Sequence, residues 1–415
     1  MTHDETNRTD RRTFLQAGAL AATASAAGVT SALKADGAAK VNPQAVPSRQ
    51  LGKTGVSITM LDQGAVRGGN TDSLLRLSYA AGVRVFDTAK VYGSEPNFKK
   101  WFDQAPQVRK EIFLVTKDEL ETPGQMIASV DERLATLGTD HIDLFFIHGL
   151  GDHHSLDKAV NMVKSREFKE AADAVRKSGK AKFVGFSTHH MDRAAIIQAA
   201  ADGGVVDAIM LMYNPWLAKD GALNRALDAC HAKGIGLISM KQTAGKFLGD
   251  GTPKGKVLED VARRVPMLAE RNLSPFQGLL HAIWTDERIS SVCTSMKNRE
   301  EIRENVDAAR RFEPLKVSEV EQLRDAVLAH GPTLCADCDG RCSAAAGTTA
   351  ELGNLTRFLT YHEHLGHRAD ARRQYAALPP EGRDWSGADL AAARAACPNH
   401  LDFARLLPEV DRHLA

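Results

Sequence analysis

Short apolar runs recur along the chain at Val56–Met60, Val83–Phe86, Ile112–Val115, Ile142–Ile147, Phe183–Phe186, Ala208–Met212, Ile235–Ile238 and Ser291–Thr294. Each has the length of a strand. The Val, Ile, Leu and Phe content of most of them predicts strands buried on both faces. Between them lie helix-period segments, among them Asp72–Ala80, Gln125–Leu137, Ser165–Ser178, Ala194–Ala201 and Leu223–Lys233. The last is followed by Gly234, a natural helix stop. Strand and helix alternating through short connections predict right-handed βαβ units, and eight such strands is the count that closes a parallel (β/α)8 TIM barrel of the α/β class. An open doubly wound sheet is the competing architecture, but no G-x-G-x-x-G follows the first strand.

Beyond Arg310 the pattern changes. A helix around Ser318–Ala329 leads into GPTLCADCDGRC, then a polar amphipathic stretch to Leu378, a Pro-rich turn and a last helix after Cys397-Pro398. The expected division is a barrel over 47–330 and a small, mostly helical cysteine-containing domain over 331–415. The second part is too small for a large core and carries four of the six cysteines. A metal or a disulfide cross-link is therefore its expected stabiliser.

The first 39 residues read differently. DRRTFLQAGALAATASAAGVTSAL pairs Arg11 and Arg12, follows them with Phe14 and Leu15, and continues as an Ala-rich, weakly apolar run. It resembles a twin-arginine (Tat) export signal, with small residues for processing between Ala35 and Ala39. The resemblance implies passage through the Tat export machinery and a periplasmic or otherwise exported mature protein. The plainer reading is an amphipathic helix with two incidental arginines. The run is too short to span a bilayer and no later segment approaches that length, so no stable membrane span and a soluble mature chain are expected. With 53 basic and 52 acidic residues the formal charge is +1, which leaves no electrostatic footprint for nucleic acid or anionic lipid.

Candidate chemistry sits at the carboxyl ends of the strand-like runs. Asp87 and Tyr92 occur in FDTAKVYGSE, Lys117 ends IFLVTK, and His148 ends DLFFIH. In a parallel barrel those ends share one face, where active sites are built. A buried cation such as Lys117 beside Tyr92 favours the phenolate and moves the phenol from about 10 toward neutrality, which makes it a usable general acid. Asp87 can hold that ammonium charged, and His148 can orient a carbonyl oxygen. The four groups suit proton delivery to a carbonyl but supply no reductant, so the mouth must also take a hydride donor such as a nicotinamide. Singly, each residue is as well explained by capping, packing or solvation.

FDTAKVYGSE, LVTK, DLFFIHG and GKAKFVGFST together resemble the aldo-keto reductase superfamily, over roughly Leu51 to Ala309 and including RQLGKTGVSITML and SMKNREEIRENV. The resemblance implies a (β/α)8 barrel that uses NADPH, less often NADH, on a carbonyl or alcohol substrate. It implies Tyr92 as proton donor, Lys117 and Asp87 as its activators and His148 as substrate orienter. It further implies Gly64, Ser187, Met240, Lys241, Ser295, Lys297 and Asn305 as cofactor-binding residues, with Ser187 against the carboxamide, Lys297 near the adenosine phosphate and Asn305 near the adenine. The chain departs from the family where Met210 replaces a Gln, where Met240 replaces an aromatic that stacks on the nicotinamide, and where Glu301 stands in a place that often carries Arg for the 2′-phosphate. Lys297 and Arg299 compensate, which keeps NADP(H) ahead of NAD(H).

Cys335, Cys338 and Cys342 form C-x2-C-x3-C, and Cys397 precedes Pro398. This looks like the ferredoxin-type extension of some aldo-keto reductases, which implies one 4Fe-4S cluster on these four thiolates, although the spacing exceeds the usual C-x2-C-x2-C by one residue. A structural zinc on the same thiolates, disulfides formed after export, and free thiols remain open. Cys230 and Cys293 read as inert core residues. The histidines His362, His364 and His367 lack the i, i+4 spacing of a helical metal pair and read as a helix surface, solvated or facing the barrel. Two other functions stay in view: a nicotinamide-binding sensor or interaction module with little turnover, and an iron–sulfur electron-transfer protein on a reductase barrel.

Overall fold

The computed structural model describes residues 45–64, 71–152, 154–190, 192–242, 254–330, 333–363 and 368–415. The twin-arginine segment, His364 and His367 lie outside them. A short antiparallel hairpin, β1 (Ser48–Gln50) and β2 (Ser57–Thr59), precedes eight parallel strands. These are β3 (Leu61–Gln63), β4 (Val85–Asp87), β5 (Phe113–Asp118), β6 (Ile142–Ile147), β7 (Ala181–Thr188), β8 (Ala208–Met212), β9 (Gly236–Met240) and β10 (Ile289–Thr294). They pair in chain order, and β10 returns to β3 to close the barrel. Helices such as Thr71–Ala80, Met126–Leu137, Arg166–Lys177 and Ala222–Ala232 fill the connections, each within two residues of its expected bounds.

The first expected strand is displaced. Val56–Met60 does not enter the barrel: Ser57–Thr59 pairs with Ser48–Gln50, and the first barrel strand is Leu61–Gln63. The apolar run VSITML is continuous through both elements, so periodicity alone gives no break at Met60. The hairpin forms the floor. Its Leu51 and Ile58 pack with Val85, Phe113, Leu144, Phe146, Ala208 and Ile238 inside the barrel. Lys53 N–H donates to Gly234 O at 2.7 Å, and the Arg49 guanidinium reaches the carbonyls of Trp284, Asp286 and Ile289. Those contacts lie at the amino ends of β9 and β10, so the opposite end is the open mouth.

Because side chains alternate across a strand, steps of two residues lead from this floor to the mouth. Val85 is followed by Asp87, Val115 by Lys117, Phe146 by His148 and Ile238 by Met240. Interior space is tight enough to demand a glycine in β7: a Cβ on Gly185 would meet Ala208 O at 1.9 Å and the Phe146 ring at 2.8 Å. The outer layer is a separate core in which Phe86, Phe98, Trp101 and Trp284 are buried between strands and helices.

The tail has a hydrophobic core of its own, built from Leu352, Leu355, Phe358, Tyr375, Phe403 and Leu407, and Met212 at the end of β8 joins it. Its cysteine loop docks on the barrel through Ala218 N–H to Ala336 O at 2.7 Å and through Arg193 to Asp337 at 2.6 Å. His362 faces inward, buried and stacked on His413 at 5.0 Å. Among the described residues no helix is long and apolar enough to cross a membrane.

Candidate active site

The barrel mouth brings Asp87, Tyr92, Lys117 and His148 together. Lys117 and Asp87 are 1% and 2% exposed, so solvent screens their attraction little. Both Asp87 oxygens accept from Lys117 Nζ, which also donates to Thr88 O at 3.0 Å. Burial, the largest single influence, would release the Lys117 proton, but the Asp87 charge and hydrogen bond together with Tyr92 and Cys293 outweigh it and hold the ammonium above its usual range. Lys117 Nζ lies 5.5 Å from the Tyr92 ring centroid. The Tyr92 hydroxyl is 3.3 Å from His148 Nε2, and the two rings meet edge to face at 5.5 Å. Tyr92 and His148 are partly exposed, as groups that must meet a substrate have to be.

Local structure explains how the tyrosine is aimed. Tyr92 sits in a single helical turn, Lys90–Tyr92, that ends at Gly93 with φ of +66°, a left-handed position suited to glycine. The loop is pinned at its two ends by Thr88 Oγ1 against Ser94 Oγ at 2.8 Å. The next residue, Glu95, is buried and accepts from Thr116 at 2.7 Å and Arg133 at 3.0 Å. Lys90 reaches Asp118 at 3.1 Å.

The expected cofactor residues fall into two groups. Ser187 and Met240 line the interior at the mouth, and the Ser187 hydroxyl accepts from Gly149 N–H at 3.0 Å. Gly64 abuts β10, where a Cβ would crowd Cys293 Sγ at 3.0 Å and the Thr294 carbonyl at 3.2 Å. Ser295 and Lys297 are exposed beyond β10, and Asn305 is half-buried in the helix Arg299–Arg310. Glu301 occupies the first turn of that helix: its carboxylate accepts from Lys297 N–H at 2.7 Å and from Asn298 Nδ2 at 3.0 Å. Lys241, partly buried at the end of β9, faces Asp152. Burial lowers Lys241 to about 8 and raises Asp152 to about 7, and each charge opposes the other's shift. Asp152 Oδ2 lies 3.1 Å from His189 Nε2, and the tail's Tyr361 hydroxyl donates to His189 O. The tail thus reaches the rim of the mouth.

Two residues escaped the sequence reading. Asp62 on β3 is fully buried, and neither of its oxygens has a hydrogen-bond partner of ordinary geometry among the described residues. Ligand atoms of Asp62, Asp87 and Cys293 lie within 4.8 Å of one another. Cys293 thus borders the charged centre, with burial holding its thiol well above the usual range. Cys230 is buried, with its thiol donating to Ile197 O at 3.5 Å. A period of two from Asp62 to Gly64 was the one available signal, and it was hidden by the misplaced first strand.

The four tail cysteines are free thiols. Cys335, Cys338 and Cys342 line a cavity of about 650 Å³ together with Asp337, Gly353 and Arg357. Asp337 N–H donates to Cys335 Sγ at 3.4 Å, and the backbone around 399–401 acts on Cys397.

A profile of the Aldo/keto reductase family matches residues 69–327, more than half of the chain. L-glyceraldehyde 3-phosphate reductase of Escherichia coli O157:H7 is 25% identical over 313 residues, covering 63% of this chain and 86% of the relative. L-galactose dehydrogenase of Arabidopsis thaliana is 25% identical over 308 residues, covering 67% and 94%. An aldo-keto reductase from Bacillus halodurans, in its holo form, superposes with a TM-score of 0.55 at 18% identity over 68% of this chain and 96% of its own. That likeness bears on the fold alone. With the family profile spanning the barrel strands from β4 to β10, this chain belongs to the aldo/keto reductase family.

Proposed function

We propose that this oxidoreductase moves hydride between a nicotinamide and a carbonyl or alcohol, with Tyr92 as proton donor. The supporting observation is the Tyr92 hydroxyl 3.3 Å from His148 Nε2 beside a Lys117 ammonium that Asp87 keeps charged. A carbonyl oxygen between Tyr92 and His148 is in reach of both donors. As negative charge develops on that oxygen, Lys117 stabilises the tyrosinate left behind. The nicotinamide supplies hydride, and the residues proposed to hold it are Gly64, Ser187, Met240, Lys241, Ser295, Lys297 and Asn305. NADP(H) is the first choice and NAD(H) the second. The relatives named for glyceraldehyde phosphate and galactose make polyhydroxylated aldehydes and sugars the substrates to test first. Tyr92→Phe should bind nicotinamide as wild type by fluorescence titration and lose most turnover; undiminished turnover would reject the role.

The proposal extends to both ends of the chain. Cys335, Cys338, Cys342 and Cys397 are assigned to one 4Fe-4S cluster, which supplies one-electron transfer. An amide donor to Cys335 and the cavity beside three of them support it. Equal iron and acid-labile sulfide in anaerobically purified protein is the expected result, and iron-free protein would reject it. Arg11 and Arg12 are assigned to Tat export into the periplasm, where Arg11→Lys with Arg12→Lys should leave the protein in the cytoplasmic fraction.

A further inference from the structure

Among the described residues, the barrel centre gathers several acids around the Lys117 ammonium. Lys117 on β5 is bound by Asp87 on β4. On the other side of β4, Asp62 on β3 is fully buried and has no hydrogen-bond partner of ordinary geometry among the described residues, with Asp87 and the Cys293 thiol within 4.8 Å. Cys293 stands opposite Asp62 in the β10–β3 ladder. Tyr92, from the loop after β4, adds a third acid facing the same ammonium. Among the described residues, Asp87, Lys117 and Cys293 are the charged or titratable groups that act on Asp62, and Tyr92 joins them through Lys117.

We propose that Asp62 is a positioning residue that sets the acidity of Tyr92, because its carboxyl competes with the tyrosinate for the field of the Lys117 ammonium. The proposal rests on Tyr92 being the proton donor. An ionised, unpaired carboxylate in this dry interior is strongly disfavoured, so Asp62 carries a proton at neutral pH. Burial first, and the Asp87 charge second, raise its carboxyl well above the usual range, while Lys117 and Cys293 act against them. Burial, with Asp62 and Asp87, likewise keeps the Cys293 thiol protonated. With Asp62 neutral, the Lys117 ammonium that faces Tyr92 is offset by the Asp87 carboxylate alone. As pH rises, loss of the Asp62 proton places a second negative charge near Lys117, and Tyr92 then holds its own proton more tightly. The two ionisations are coupled, each pushing the other up. A metal ion is not the occupant favoured here, since the Lys117 ammonium already fills the Asp87 carboxylate.

The test reads Tyr92 directly and does not depend on turnover. The tyrosinate absorbance difference between the protein and its Tyr92→Phe form is titrated against pH, first with Asp62 present and then in the Asp62→Asn background. Asparagine mimics the protonated acid and cannot ionise. The Tyr92 ionisation should move to lower pH by on the order of one unit in Asp62→Asn. Asp62→Ser should shift it in the same direction, which guards against a folding defect peculiar to one variant. In parallel, the carbonyl stretch of a protonated buried carboxylic acid should be present in the infrared spectrum of the wild-type protein at neutral pH and missing in Asp62→Asn. Superimposable Tyr92 titrations, or no such band in wild type, would overturn the proposal. A Tyr92 ionisation that shifts as expected in Asp62→Asn, with a wild-type protein that turns over no carbonyl, would instead count against the reductase reading, so the two failures are distinguishable.

Discussion

Asp337, between the first two cysteines of the tail, lies 2.6 Å from Arg193 at the start of the helix that follows β7. Its other oxygen pairs with Arg357 of the tail helix Leu352–Glu363. One carboxylate therefore ties the cysteine loop both to the barrel and to the tail's own core. It does so from a left-handed backbone position, φ +49°.

That geometry predicts the behaviour of Asp337→Asn. Asparagine tolerates the left-handed region, so the substitution removes charge with little change in backbone preference. Two buried guanidinium groups lose their counter-charge, and the expected loss is about 3 kcal/mol of unfolding free energy. Burial pushes the Asp337 carboxyl up, but Arg193 and Arg357 outweigh it and hold it below its usual range. A lowered folded-state value stabilises above the unfolded value, and that contribution disappears as pH falls through the lowered one. Urea unfolding at pH 7 and below pH 4 should therefore show a large gap between wild type and variant that closes in acid. An unchanged midpoint at pH 7 would remove Asp337 as the tether.

Lys117→Met should be more damaging to chemistry than to fold once its partner is also changed. Alone it leaves Asp87 buried without a counter-charge and destabilises by about 3 kcal/mol or more. Combined with Asp87→Leu, which removes the orphaned carboxylate, stability should return while turnover stays down by about 10²-fold or more. Thermal unfolding with steady-state kinetics on the two forms checks both halves. Turnover that recovers along with stability would show that the ion pair is only structural.

The barrel was legible because most of its strands are apolar on both faces, a pattern a helix of similar length rarely shows without polar breaks. The one misplaced strand, Val56–Met60, lay where a hairpin and a barrel strand share an uninterrupted apolar run. The positions of Asp87, Lys117 and His148 were legible for a related reason: each follows an interior apolar residue by two positions at the carboxyl end of its strand, the parity that faces the mouth, whereas Asp118, one step on from Lys117, turns outward to Ser129. Asp62 was not, because a lone acid within SITMLDQG looks like the end of a run until the ladder to Cys293 is known. The Asp337 tether was likewise out of reach, since its partners stand 144 and 20 residues away in the chain.

Asp152 gives the barrel rim a signature in stability against pH. Its folded value of about 7, raised mainly by burial, stands above the unfolded value near 4. A raised carboxyl favours the folded state while protonated, so its contribution is present in acid and is lost as pH climbs from about 4 through 7. Lys241, lowered to about 8 by burial, favours the folded state when neutral, and its contribution is lost as pH falls from the lysine range through 8. Both losses are complete only between about 7 and 8, where both groups are charged. Asp152→Asn should therefore flatten the decline in melting temperature between pH 5 and 7, and on the alkaline side it lets Lys241 fall further, so that the loss there continues to lower pH. A decline of wild-type steepness in the variant would rule Asp152 out as its source.

Glu301 decides how the proposed adenosine end receives a phosphate. In the helix Arg299–Arg310 the first-turn amides carry partial positive charge, a favourable place for an anion. Here that place is taken from within, since the Glu301 carboxylate accepts from Lys297 N–H and the Asn298 side chain. A 2′-phosphate arriving there meets like charge, while the exposed Lys297 and Arg299 attract it, so the two effects nearly offset and discrimination between NADP(H) and NAD(H) should be small. Glu301→Gln keeps the hydrogen bond to the Lys297 amide but removes the repulsion, leaving the two cations unopposed. The ratio of nicotinamide dissociation constants should then move toward NADP(H) by about tenfold, or about 1.4 kcal/mol, and the gain should shrink with added salt because exposed charges carry it. A ratio that stays put at low ionic strength would mean that the phosphate is received elsewhere on the barrel rim.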